Sequence, residues 1–224
     1  MEEDAKNTRR HGSVIAALAS AGIVGPLIFA TLALVLSLLR PEHSLISDPI
    51  SALAAGPYGW VQDVNFLHFG LLMIAYAIGL HLGMSPMRMG TVITAFLVLS
   101  GFGLIWAGLF PATSSSGAFQ DRALHTPGFI MTFFGAGVGL ILMSRRMARD
   151  PSWQSLATYA KATGIATLLL LLSGALFVRP STAPLHPWWG LFQWVLLAIW
   201  LPCTVILAFR LLRVARAADS RRYP

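Results

Sequence analysis

The chain has 224 residues and is 56% hydrophobic, with a mean hydropathy of +0.69 and only 11% charged residues. A soluble domain carries roughly 25% charged residues, so a water-soluble globular protein is excluded. The net charge of +7 does not mark a nucleic-acid partner either, because the basic residues flank apolar runs and are not gathered into a patch.

Six apolar runs are predicted as spans, roughly Val14–Leu39, Val64–Gly83, Thr91–Phe110, Thr126–Ser144, Ala162–Val178 and Trp189–Leu212. Each is near or above the ~20 residues that cross about 30 Å of hydrocarbon. They are continuously apolar, without the period-two alternation of a barrel strand. The predicted fold is all-α: one membrane domain over 1–224, with six transmembrane helices in three hairpins.

In the first span, Arg9-Arg10 and Ala17-Leu18-Ala19 resemble an export signal. The apolar stretch outruns the 7–15 residues of a cleaved signal, so an uncleaved signal-anchor is expected. The loop Arg40–Asp63 holds Asp48-Pro49, which reads as a helix cap followed by proline in the first turn, and Gly56-Pro57, which reads as a stop. A short interfacial helix, Pro49–Ala55, is predicted there, with Ser47 and Ser51 satisfying loop backbone and Tyr58 and Trp60 in an aromatic belt. The second span places Asn65 and His68 three residues apart on one face. The fourth places Asp121 four residues before His125, where its carboxylate could hold the imidazole in one tautomer. Gly101-x-Gly103 and Gly135-x-x-x-Gly139 mark close helix contacts, read as packing within the bundle. Trp188 and Trp189 open the last span as a second belt. Gln193 is a deep polar group, and the single Cys203 has no disulfide partner.

Thirteen of the sixteen lysines and arginines fall on one set of connections; only Arg40, Arg122 and Arg179 fall on the other. The positive-inside rule then predicts a cell (cytoplasmic) membrane protein with both termini in the cytosol. No charged residue sits mid-span, which disfavours proton-coupled transport. Polar residues gather instead at the outer boundary. His125, Asp121 and Ser51 are the candidate catalytic residues there. Trp60, Gln62, Asn65 and His68 are the candidate binding residues. His125, His186 and His68 share one depth and would form the candidate metal set, with zinc as the metal such a set takes. No HExxH or GxSxG motif accompanies them.

The stretches SDPISALAAGPYGWVQDVNFLHFGLL, AGIVGPLIFA and GLFPATSSSGAFQDRALHTPGF together resemble the bacterial domain-of-unknown-function family 998. Pro49, Ser51, Leu53, Gly59, Trp60, Gln62, Asn65, Phe66, Gly70, Pro111 and His125 stand where that family's pattern recurs. The chain departs from it at Ala112, where an acidic residue is frequent, and at Gln193-Trp194, where Gln-Arg is frequent. The resemblance implies a six-helix integral membrane protein and carries no activity with it. Two readings follow from the residues. One is lipid or partner binding at the outer membrane face. The other is a membrane-embedded hydrolase or transferase acting on outer-leaflet lipid through a His/Asp site. Membrane lipid is the partner in both, and neither involves nucleic acid.

Overall fold

The computed structural model describes residues 2–84, 88–112, 119–178 and 180–220, the side chains of 2–10, 119–122 and 218–220 excepted. The described residues form six long helices and no strand. They are α1 (Glu2–Leu38), α2 (Gly59–Gly83), α3 (Gly90–Leu109), α4 (Phe119–Met147), α5 (Gln154–Ser173) and α6 (Trp189–Ser220). All six are long and apolar enough to cross a membrane. Most start or stop beyond the apolar runs that announce them: α2 begins at Gly59 and α5 at Gln154. Hydropathy reports the hydrocarbon-facing stretch, whereas a helix continues through any polar turn that keeps its backbone bonded.

Each helix packs on its chain neighbours from α1 to α5, and α6 closes the ring against α1. The contact between α3 and α4 is as extensive as that between α2 and α3, so the bundle is a continuous ring in chain order and no three pairs stand out. One seam is sparse, that between α5 and α6.

Lipid tails are as apolar as leucine, so membrane helices associate through close packing and not through apolar burial. Here reciprocal glycines supply it. A Cβ on Gly103 would stand 2.6 Å from the Gly128 carbonyl oxygen, and one on Gly128 would stand 2.7 Å from that of Gly103. Gly70 and Gly101 join α2 to α3 in the same way, and Gly137 and Gly164 join α4 to α5. Inside the ring, aromatic rings fill the axis: Phe29 stacks on Phe69 at 4.9 Å, and Trp200 meets Phe69 at 5.6 Å and Phe133 at 5.4 Å.

One end of the bundle is basic. There the Arg146 guanidinium donates to the Met84 carbonyl, and Arg210 donates to that of Ser152. The opposite end carries the first loop. The segment predicted as a two-turn surface helix is a single 3-10 helix, Ile50–Ala54, with Ile50 and Leu53 buried against protein. Asp48 does not cap it. Its carboxylate accepts the Ser44 N–H at 2.8 Å and closes the preceding turn, while no side chain caps the 3-10 helix. The Arg40 guanidinium, outside the basic end, donates to the carbonyls of Ala55 and Pro57 and clamps the segment's exit.

His43 lies in this loop with its Nε2 buried and without a hydrogen-bond partner among the described residues. Burial pushes its pKa down; Asp48 opposes this, Arg40 adds to it and Glu42 opposes it. An unfolded imidazole titrates near 6.5, so on acidification the unfolded chain takes up the proton first. Stability contributed above pH ~6.5 is therefore lost as pH falls toward the folded value. Thermal melts of wild type should drop more than those of His43→Gln between about pH 7.5 and about pH 5.5. Parallel drops would contradict this.

Candidate functional site

The first loop docks on the start of α6, and this docking builds the site. The Leu191 N–H donates to the Ile46 carbonyl at 2.9 Å. The Ile50 N–H donates to Gln193 Oε1 at 2.8 Å, so a side chain from α6 holds the backbone where the 3-10 helix begins. Gly190 lets the two segments approach, since a Cβ there would stand 2.5 Å from the Asp48 carbonyl oxygen.

Between this loop and α4, α5 and α6 lies a cavity of about 580 Å³. Its walls are apolar: Phe129 and Ile130 from α4, Leu171 from α5, and Phe192 from α6. Ala175 and Val178 come from a π-helical turn, Gly174–Val178, that continues α5. Single π turns of this kind recur at functional sites because they re-aim one face of a helix. Polar groups gather around the wall: Ser47, Asp48, Ser51, His125, Thr126, Ser181, His186 and Gln193. The sparse α5–α6 seam runs beside it.

Both cavity histidines are oriented by backbone. His125, 9% exposed, brings Nδ1 to 2.9 Å from the Phe110 carbonyl oxygen and 3.2 Å from that of Ala107. Carbonyls only accept, so Nδ1 carries the proton, and in the neutral ring the lone pair is on Nε2. Ala107 is among the last four residues of α3, whose carbonyls lack helical partners. His125 thus caps one helix from the next. Its ring also meets Phe66 edge-on, with centroids 6.1 Å apart. His186 Nδ1 lies 3.0 Å from the Val178 carbonyl oxygen and closes the π turn in the same manner.

The candidate residues therefore divide. Ser51, His125 and His186 share the cavity. The side chain of Asp121, expected to orient His125, lies outside the described residues. His68 is half-buried and does not line the cavity. Among the described residues no three His, Cys, Asp or Glu side chains group so as to hold a metal ion. Trp60 is 65% exposed and does not line the cavity. Gln62 and Asn65 are buried against α1, where the Asn65 amide donates to the Phe29 carbonyl at 3.1 Å and to Gln62 Oε1 at 3.3 Å.

Sequence reasoning missed two things here: Gln193 as the anchor of the loop, and the π turn. Gln193 left a signal, since it is a long polar side chain deep in an apolar run. The π turn left none.

The fold and cavity define the class: a multi-pass helical membrane protein with a cavity at the end of the bundle opposite the basic one. The chain belongs to the family described as Protein of unknown function (DUF998), whose model matches residues 23–210. No curated protein and no solved structure matches it.

Proposed function

We propose that the protein is a single-domain cytoplasmic-membrane protein, both termini in the cytosol, that binds a membrane lipid in this cavity at the outer face. The positive-inside rule supports the orientation: Arg88, Arg145, Arg146, Arg149 and Arg210 mark one end of the bundle, and the cavity lies at the other. One observation carries the binding reading. The cavity is of ligand size, about 580 Å³, with apolar walls and a limited set of convergent polar groups. A lipid would place its polar part among Ser51, His125 and Gln193 and its chains along Phe129, Leu171 and Phe192. The sparse α5–α6 seam offers a lateral way in from the bilayer.

Ala175 faces open space at the cavity wall, so Ala175→Trp fills the cavity without disturbing the core. Native mass spectrometry of protein released from nanodiscs should show retained lipid in wild type, reduced at least about tenfold in Ala175→Trp, or ~1.4 kcal/mol of binding. Equal retention by both proteins would refute lipid binding at this site.

A second reading, hydrolysis or group transfer on an outer-leaflet lipid, is favoured by one specific arrangement. His125 has Nδ1 committed to backbone and so carries its lone pair on Nε2, and Ser51 lines the same cavity. His125 would then serve as general base.

A further inference from the structure

A second, smaller chamber of about 40 Å³ lies behind the large cavity, toward the bundle axis. The two share four lining residues, Ser51, His125, Phe129 and Gln193. These form a neck that is polar on three of its four sides. Beyond the neck the chamber is walled by rings and aliphatic groups, Phe133, Trp200 and Leu104 among them. The one hydroxyl among its inner walls, Thr132, is spent on the Gly128 carbonyl at 2.9 Å. A water needs two to four polar partners, and the inner walls beyond the neck offer no hydroxyl that is not already bonded, so the lining there suits a small apolar group.

The neck has a definite hydrogen-bonding sense. Gln193 Oε1 is taken by the Ile50 N–H, so its amide NH₂ is the end that remains to donate. Ser51 is 8% exposed, and its hydroxyl has no hydrogen-bond partner among the described residues. His125 Nδ1 is committed to the carbonyls of α3. Donors from Ser51 and Gln193, beside the His125 ring, therefore stand where a wide apolar-walled cavity narrows into a small chamber with apolar inner walls. A group that accepts there and carries a few carbons beyond it fits this arrangement.

We propose that the inner chamber is a short-acyl subsite, so that the cavity's ligand is a lipid bearing one short acyl group. The ester carbonyl accepts from Ser51 and Gln193 at the neck. The acetyl- to butyryl-sized remainder fills the chamber, and the long chain stays in the large cavity. This rests on the lipid-binding reading above and names the class of lipid.

The test uses the full chain in nanodiscs and a series of 1-palmitoyl-2-acylglycerols with acetyl, butyryl and octanoyl groups, with occupancy read by native mass spectrometry. Acetyl and butyryl forms should bind, with the octanoyl form at least about tenfold weaker. Phe133→Ala, which lengthens the chamber, should restore the octanoyl form, and Leu104→Ala is a second enlarging variant should Phe133→Ala fail to fold. The 2-O-ethyl ether, which lacks the carbonyl, should bind wild type more weakly than the acetyl ester, and Ser51→Ala should narrow that gap. Equal occupancy across the three chain lengths would overturn the subsite while Ala175→Trp still reports on the large cavity. Failure of every glyceride to bind wild type would overturn it too, and retention of endogenous lipid would then show separately whether the large cavity binds lipid at all.

Discussion

Gly103→Leu and Gly128→Leu should each destabilise the bundle by about 3 kcal/mol or more, at the upper end of overpacking costs. Both residues sit where the backbones of α3 and α4 touch, and a Cβ on either would already press on the other's carbonyl oxygen. The two nearest atoms at each glycine are backbone and cannot swing away, so the helices must separate and lose contacts along their interface. Phe102, next to Gly103 in sequence, is 45% exposed on the outer face, and Phe102→Leu is the matched control with little expected effect. Thermal unfolding in detergent, followed by tryptophan fluorescence, is the measurement. The milder changes Gly103→Ala and Gly128→Ala should combine to less than the sum of their separate costs, because the first already moves the helices apart. Wild-type midpoints for the leucine variants would mean that α3 and α4 are not held by this contact.

His125→Ala should have two effects at once. It removes the donor from the Ala107 and Phe110 carbonyls, at a cost of about 1–3 kcal/mol for an unsatisfied buried group. It also opens the neck of the cavity and should lower lipid retention. His125→Gln separates the roles, because its amide can donate to the same carbonyls but lacks a basic ring nitrogen. Under the binding reading, His125→Gln recovers much of both stability and lipid retention. Under the hydrolase or transferase reading, it recovers stability while product release from an outer-leaflet lipid, followed by mass spectrometry, stays abolished. A His125→Ala protein as stable as wild type would show that the imidazole does not cap α3.

The cavity is scarcely legible in one dimension. Ser51, His125 and His186 stand out as polar residues near helix ends, and all three do line it. His68 stands out by the same rule and does not, because shared depth along the membrane normal says nothing about position around the ring. Asp48 shows how local grammar misleads. Asp-Pro is a sound helix start, yet the carboxylate bonds backward to Ser44 because docking on α6 sets the loop's path. The small-residue pattern was partly legible. Gly101-x-Gly103 serves two neighbours, Gly101 facing α2 and Gly103 facing α4, and a count of spacings cannot reveal that division.

The amino-acid sequence alone determined that six helices cross a membrane and where the arginines gather. Both follow from hydrocarbon thickness and the cost of charge, which act on each segment separately. Only the tertiary structure decided that the helices close into a ring with one sparse seam, that Gln193 pins the first loop, and that two backbone-oriented histidines share a cavity. Those outcomes depend on which backbones approach closely enough to touch. In lipid, shape complementarity between distant segments governs that approach, and no local pattern encodes it.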